Sequence, residues 1–219
     1  MSLTGPRRDA RSGHARSLVV FLHGYGADGN DLIGLADPLA PHLPDTAFLA
    51  PNAPERNAVN PGGCQWFPIP WIDGSSEDAR AESYRRSVGI LDGWLTEAME
   101  AEGIPPVRTA VVGFSQGTMM ALSVLPARAE PVACLVGFSG RLLDPEALRT
   151  ARSKPPVLLV HGDRDEMVPV ASLDEAKRAL EGAGFDVLAH VSRGMAHGIA
   201  PDGLEVALAF LMTHLGYAE

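Results

Sequence analysis

A serine, an acidic pair and a histidine occur in this sequence in surroundings that suit nucleophilic catalysis. Ser115 lies in VVGFSQGTMM, between Gly113 and Gly117 and directly after an apolar, β-branched run. A serine hydroxyl is a weak nucleophile at neutral pH and needs an adjacent base. Small neighbours let such a side chain project from a sharp strand-to-helix turn, and the helix N-terminus points its positive end at the site. The stretch therefore predicts a nucleophile elbow, although G-x-S-x-G also arises by chance in a chain with 23 glycines.

Candidate partners for the serine follow it along the chain. HGDRDEMVP supplies Asp163 and Asp165, and SRGMAHGIAPDG supplies His197 in a glycine-flanked loop. The order serine, acid, histidine is that of α/β-hydrolases and differs from the order in other serine-protease folds. Taken singly, the carboxylates also suit a surface turn, and the histidine also suits a solvated loop. No Glu-x-x-His or Cys-x-x-Cys pattern accompanies them, so we expect no metal and no cofactor.

A glycine-rich stretch precedes these residues. In FLHGYGADGND, Gly24, Gly26 and Gly29 follow an apolar run and let the backbone turn with its N–H groups exposed. An oxyanion binder needs that arrangement, and an ordinary turn between a strand and a helix has it too. The stretch is no phosphate loop, because the Gly-Lys-Ser/Thr ending is missing.

Short apolar runs rich in Val, Leu and Ala precede each motif and predict buried strands of a mostly parallel sheet. These runs cover residues 17–24, 46–54, 109–115, 132–140, 156–163 and 185–192. The stretches between them predict helices over 79–102 and from Pro201 onward. A third predicted helix starts at a capping-box pattern of Ser172 and Glu175. The alternation implies a three-layer α/β sandwich, in which ligands bind beyond the carboxyl ends of the strands, where all the candidates fall.

Composition and charge narrow the class of protein. The 219 residues are 46% hydrophobic and 21% charged, which is ordinary for a globular protein, and we expect one domain over 17–219 after a flexible tail over 1–16. A net charge of −9 disfavours nucleic acid as a partner. No apolar run is long enough for a membrane helix or a signal peptide, so we expect no integral membrane association and a cytoplasmic location. Cys64 and Cys134 are accordingly expected to stay reduced.

The stretches FLHGYGADGND, GFSQG, HGDRDEMVP and GMAHG resemble the phospholipase/carboxylesterase family of α/β-hydrolases, which includes acyl-protein thioesterases and bacterial carboxylesterases. The resemblance runs from about Ser17 to about Leu215, and QWFPI (residues 65–69) is similar to the family's Trp-Phe loop. It implies an α/β-hydrolase fold and a serine carboxylesterase that hydrolyses esters or thioesters through an acyl-enzyme. Lysophospholipase and acyl-protein thioesterase are the alternatives, so the expected partner is a small-molecule or lipid ester. Relatives often associate weakly, which implies a monomer or a weak homodimer.

The resemblance also implies roles for individual residues. Ser115 would be the nucleophile, His197 the base and Asp165 the acid. The backbone N–H groups of Tyr25 and Gln116 would form the oxyanion hole. Against the family pattern, Thr118 stands where many relatives have Gly and Tyr25 where Leu is frequent, and we expect both changes beside the acyl pocket.

An aromatic stretch over residues 60–76 is the main candidate for a substrate wall. Pro68 and Pro70 argue against a helix there, so the segment either covers a substrate group or packs as a loop on the core. The tentative pocket residues are Trp66, Phe67, Met167 and Val168.

Three rival functions use the same fold. A peptidase is disfavoured, because the chain has no long insertion for gripping a peptide. A dienelactone-type hydrolase usually has Cys where Ser115 stands. A non-catalytic ligand-binding protein on a hydrolase scaffold typically loses a member of the triad, and here all three are present.

Overall fold

A seven-stranded sheet forms the centre of the computed structural model, which describes residues 3–217. The strands are β1 (Arg7–Arg8), β2 (Ser17–Leu22), β3 (Thr46–Leu49), β4 (Glu55–Arg56), β5 (Cys64–Gln65), β6 (Thr109–Phe114), β7 (Cys134–Phe138), β8 (Val157–Gly162) and β9 (Val187–Ser192). Seven of these nine strands form the sheet in the order β1, β3, β2, β6, β7, β8, β9, and every neighbouring pair is parallel except β1 with β3. A separate antiparallel hairpin joins β4 to β5. The prediction of a mostly parallel sheet is confirmed.

Helices cover both faces of this sheet, as the predicted three-layer sandwich requires. They are α1 (Gly29–Ile33), α2 (Ala36–Leu39), α3 (Pro70–Asp73), α4 (Glu77–Glu102), α5 (Gln116–Val124), α6 (Ala171–Gly182) and α7 (Pro201–Leu215). Alternate residues of a strand face opposite sides. In β2, Leu18, Val20 and Leu22 therefore join the apolar core under α4, α5 and α6. Val19 and Phe21 join the core under α1, α2 and α7.

Each predicted strand and helix is present, but some bounds differ. The apolar run over 46–54 is a strand only over Thr46–Leu49, and two helices begin earlier than predicted. Helix α4 begins after Ser76, whose hydroxyl caps it, and ends at Gly103 in the left-handed conformation. The prediction that a capping box at Ser172 begins a helix is wrong. Helix α6 begins one residue earlier, because the amide of Ser172 already donates to the Pro169 carbonyl oxygen, and Ser172 is a buried residue of the first turn.

The N-terminal segment differs from the flexible tail expected over residues 1–16. Residues 1–2 lie outside the described part, but Leu3 is buried and its carbonyl oxygen accepts a hydrogen bond from the Trp94 indole at 3.0 Å. Strand β1 extends the sheet by pairing with β3, and the Arg7 guanidinium binds the Glu102 carboxylate at 2.8 Å. Arginine content alone gave no sign of this backbone pairing. The limits of the domain stay a prediction.

Candidate active site

The elbow at Ser115 has the geometry that its glycine spacing predicts. Ser115 lies between β6 and α5 with φ 53° and ψ −116°, a backbone conformation that residues other than glycine seldom adopt. A Cβ atom on Gly117 would lie 1.8 Å from the Leu22 carbonyl oxygen, and one on Gly113 would lie 2.5 Å from the Thr118 nitrogen. A side chain at either position would clash with the backbone, so both must be glycine. The turn places Ser115 at the carboxyl edge of the sheet.

The structure brings the three predicted catalytic side chains into one hydrogen-bonded chain. The His197 Nε2 atom lies 3.0 Å from the Ser115 Oγ atom, and Nδ1 lies 2.7 Å from the Asp165 Oδ2 atom. The two aspartates of HGDRDEMVP have separate functions in the structure. Asp165 contacts the histidine, whereas Asp163 accepts a hydrogen bond from the Gly194 amide at 2.6 Å.

The Asp165 carboxylate is held in its charged form. Its side chain is fully buried, and burial alone would raise its pKa. Hydrogen bonds from the Val168 amide, from His197 and from the Met167 amide outweigh burial, so the pKa of Asp165 lies below its ordinary value. The group therefore stays an acceptor that orients the imidazole near neutral pH.

A buried histidine, His161, lies beside the acid. The His161 Nε2 atom lies 2.8 Å from the Val168 carbonyl oxygen and 3.3 Å from the Asp165 Oδ2 atom. A carbonyl oxygen can only accept, so Nε2 must carry the hydrogen. Sequence reasoning gave His161 no role and missed this contact. Within residues 3–217, no cluster of three or more His, Cys, Asp or Glu side chains has a metal-binding arrangement.

The two predicted oxyanion donors flank the serine. Tyr25 and Gln116 both line the cavity over Ser115, and Gln116 is the first residue of α5, where backbone N–H groups have no acceptor inside the helix. Neither amide donates a hydrogen bond to another residue of the described chain. Both N–H groups therefore remain available to an anionic oxygen of a substrate.

The aromatic segment over 60–76 both packs on the core and faces the cavity. Trp66 is the residue that was assigned wrongly as a pocket wall. It is fully buried, and its indole N–H donates to the His23 carbonyl oxygen at 3.0 Å, which turns the ring under the glycine loop. The exclusion of a helix is also wrong for α3, because Pro70 occupies its first position, where no N–H group is needed.

A cavity of about 470 Å³ opens above Ser115 and His197. Of the predicted pocket residues, Phe67, Met167 and Val168 line it. Further apolar lining comes from Ile69, Trp71, Ile72, Met119 and Leu143. Charged side chains of Asp31, Glu77, Arg80 and Arg141 also line it. A largely apolar cavity with a few charged groups suits an ester with a hydrocarbon part.

The two departures from the family pattern lie in different places. Tyr25 lines the cavity, as expected, and its hydroxyl donates to the Asp73 Oδ2 atom at 2.9 Å. The expectation for Thr118 is wrong. Its hydroxyl donates to the Phe138 carbonyl oxygen at 2.9 Å, and its methyl group fills the space beside Gly137, away from the cavity.

Comparisons with known proteins give this geometry a context. The sequence model of a family described as phospholipase/carboxylesterase matches residues 9–215. Acyl-protein thioesterase 1 of Saccharomyces cerevisiae is 29% identical, covering 97% of this chain and 99% of the relative. Esterase YpfH of Escherichia coli is 28% identical, covering 90% of this chain and 82% of the relative. The crystal structure of esterase PE8 superposes with a TM-score of 0.93 at 44% identity, covering 98% of this chain and 100% of that one.

Proposed function

Since the chain belongs to the phospholipase/carboxylesterase family of α/β-hydrolases and is a hydrolase acting on ester bonds, we propose that Ser115, His197 and Asp165 carry its reaction. The observation that supports this assignment is the unbroken chain of hydrogen bonds from the Ser115 hydroxyl through the imidazole to the buried carboxylate. Each member lies within the distance that proton transfer or orientation requires.

The first step forms the acyl-enzyme. His197 Nε2 takes the proton of the Ser115 hydroxyl as Oγ attacks the carbonyl carbon of the ester. Asp165 holds the imidazole with Nδ1–H toward the carboxylate and stabilises the imidazolium that forms. The amides of Tyr25 and Gln116 donate to the developing oxyanion, each contributing on the order of 3 kcal/mol. The tetrahedral intermediate collapses when His197 protonates the leaving alcohol or thiol.

The second step releases the acid. A water molecule loses a proton to His197 and attacks the acyl carbon, and a second tetrahedral intermediate uses the same two amides. Its collapse returns the proton to Ser115 Oγ and frees the carboxylic acid. One site thus performs both halves of the reaction with no group beyond the chain and water.

We assign a carboxylic ester with an apolar acyl or alcohol part as the substrate class. The lining by Phe67, Met167 and Val168 supports this choice. Acyl-protein thioesterase is the second candidate, and it is favoured by the relatives that bear that name and match nearly end to end. A lysophospholipase would use the same acyl-serine. A binding-only role would not require the connected triad.

Location and assembly remain predictions. No helix within residues 3–217 is long and apolar enough to cross a membrane. The free, buried Cys64 and Cys134 support the cytoplasmic location, because thiols persist in reducing compartments. The monomer or weak homodimer and the lack of a nucleic-acid partner are proposed on the resemblance and on the charge of −9.

Labelling with a fluorophosphonate followed by peptide mass spectrometry tests the nucleophile. We expect a single adduct on Ser115, and Ser115→Ala should lower kcat for a p-nitrophenyl ester by about 10⁵–10⁶-fold with the fold intact. Within residues 3–217, Ser139 is the other serine with a positive φ (47°) and offers a matched control, so Ser139→Ala should remain labelled. A folded wild-type protein without an adduct on Ser115 would refute the proposal.

A further inference from the structure

Residues 64–75, here called the strap, cross over the glycine loop and the start of α5. The strap is joined to the glycine loop through backbone bonds, from the Gly26 amide to the Cys64 carbonyl oxygen at 2.9 Å and from the Cys64 amide to the Ala27 carbonyl oxygen at 2.7 Å. Strand β5 is the only regular strand in this segment, and it pairs with β4 outside the main sheet. The strap therefore reaches the site through its contacts rather than through the central sheet.

The side chain of Gln116 fastens α5 to the strap at two points. Its Oε1 atom accepts a hydrogen bond from the Trp66 amide at 3.1 Å, and its Nε2 atom donates to the Phe67 carbonyl oxygen at 2.8 Å. Gln116 is buried, so both bonds are shielded from water and an unmatched amide group there would be costly. The backbone N–H of Gln116 faces the proposed oxyanion, and the side chain of the same residue holds it against the strap.

The side chain of Tyr25 makes the matching connection on the other donor. Its hydroxyl donates to the Asp73 Oδ2 atom at 2.9 Å, and that oxygen also accepts the Ile69 amide at 2.8 Å. The second oxygen, Oδ1, accepts the Ser75 amide at 2.9 Å. Burial alone would raise the pKa of Asp73, but the side chain and amide of Ser75, the Ile69 amide and the Tyr25 hydroxyl outweigh it and hold the pKa below its ordinary value, so the acceptor is a carboxylate. Charge-assisted hydrogen bonds of this kind are stronger than neutral ones.

The placement of oxyanion donors is sensitive to small shifts. A donor acts when it lies 2.7–3.1 Å from the developing oxyanion, as a general rule, and a displacement of about 1 Å costs about 10²-fold in rate. Neither donor belongs to a strand, and both are tied to the strap by side chains that a backbone role alone would not need. The strap also lines the cavity through Phe67 and Ile69, so the acyl group and the donors contact one segment.

We propose that the strap is the positioning element of the oxyanion hole, with the Gln116 amide group and the Tyr25 hydroxyl as its two attachment points. Gln116 and Tyr25 then act twice, through a backbone N–H toward substrate and through a side chain toward the strap. This inference rests on the proposed function, because it presupposes an acyl transfer at Ser115. The Leu that is frequent at the position of Tyr25 in the family would have no donor for Asp73.

Two substitutions separate the attachment points from the amides that they position. Tyr25→Phe removes one oxygen and leaves the ring and the backbone N–H. Gln116→Met keeps the length of the side chain and removes both hydrogen-bonding groups. Tyr84→Phe is the matched control, because it also removes one tyrosine hydroxyl near the strap, but that hydroxyl binds Ser123 at 2.6 Å and touches neither donor.

The measurements are kcat and KM for p-nitrophenyl butyrate and the inhibition constant of phenylboronic acid, whose tetrahedral adduct on serine presents an oxygen to the donors. We expect kcat to fall about 5-fold in Tyr25→Phe and about 30-fold in Gln116→Met, with KM within about 2-fold of wild type. The boronate inhibition constant should rise by the same factor as kcat falls. Tyr84→Phe should match wild type in all three values.

Other results overturn the inference. It fails if folded Tyr25→Phe keeps the wild-type kcat, if KM alone changes, or if Tyr84→Phe lowers kcat as much. Because Tyr25→Phe removes a single atom, it keeps the test decisive even where Gln116→Met does not fold. Fluorophosphonate labelling separates the two proposals. An unlabelled Ser115 refutes the acyl transfer itself, whereas a labelled Ser115 with unchanged variants refutes only the strap.

Discussion

Two His–Gly pairs lie at the ends of two parallel strands and support opposite halves of the site. One half, here called the oxyanion half, holds the donors Tyr25 and Gln116, and the other, the acid half, holds Asp165. His23 follows β2 beneath the glycine loop, and His161 lies near the end of β8 beside Asp165. Both imidazoles are buried. The sequence context is similar, FLHG in one case and LVHG in the other, yet the Nε2 atom accepts a hydrogen bond in His23 and donates one in His161.

The partners of each ring decide whether its Nε2 atom donates or accepts. The Ala53 amide donates to His23 Nε2 at 2.9 Å, so that nitrogen must accept, and Nδ1–H donates to the Gly24 carbonyl oxygen at 2.8 Å. In His161 the Nε2 atom faces a carbonyl oxygen and must donate. The partner of His161 is 7 residues away along the chain, whereas Ala53 is 30 residues from His23. The acid half of the site is thus braced locally, and the oxyanion half depends on distant segments.

The largest effect should follow from breaking the acid half at its centre. Asp165→Asn replaces one acceptor oxygen with an N–H donor, which favours the wrong tautomer of His197. We expect kcat for a p-nitrophenyl ester to fall about 10⁴-fold. Asp163→Asn is the control, because Asp163 binds only a loop amide, and its kcat should stay within about 3-fold of wild type. Equal losses in both variants would contradict the assignment of Asp165 as the acid.

A smaller effect should follow from removing the local brace. His161→Leu leaves the buried Val168 carbonyl oxygen without its donor and loosens the loop that carries Asp165. We expect about a 10–100-fold loss of kcat and about 1–3 kcal/mol of unfolding free energy, measured by urea titration. His161→Gln retains an N–H donor and should recover most of kcat. If Leu and Gln behave alike, the hydrogen bond to Val168 does not position the acid.

The contrast between the two halves also explains what the sequence could predict. Ser115, Asp165 and His197 lie at the ends of strands, and strand ends follow from apolar runs, so their convergence was predictable. Trp66 was misplaced because an irregular segment has no period that tells an inward side chain from an outward one. For the same reason Trp71, five residues later, is 72% exposed at the cavity. The Gln116 side chain was missed because its partners are backbone groups about 50 residues away.

The smallest predicted effect is a pH dependence of the unfolding free energy that arises in the oxyanion half. Burial, opposed by the Gly24 hydrogen bond and by Asp28 and Asp31, lowers the pKa of His23 below its ordinary value. The folded protein therefore keeps His23 neutral where the unfolded chain, with an ordinary pKa of about 6.5, binds a proton. The stability that this difference provides is present above about pH 6.5 and is lost as the pH falls toward the lowered pKa.

Urea unfolding at pH 7, 6 and 5 measures this loss. The unfolding free energy should decrease with falling pH by at most about 1.4 kcal/mol per unit from His23, and His23→Gln should flatten that part of the slope. His214, on α7, also has a pKa that is lowered by burial. His214→Gln therefore serves as the control that measures how much of the pH slope comes from His214. A slope that His23→Gln leaves unchanged would mean that the oxyanion half is not braced by a neutral histidine. His23→Gln could instead reduce the slope and also lower kcat for the p-nitrophenyl ester at every pH. That result would show that the His23–Gly24 hydrogen bond helps to position the amide of Tyr25, which is the next residue along the chain.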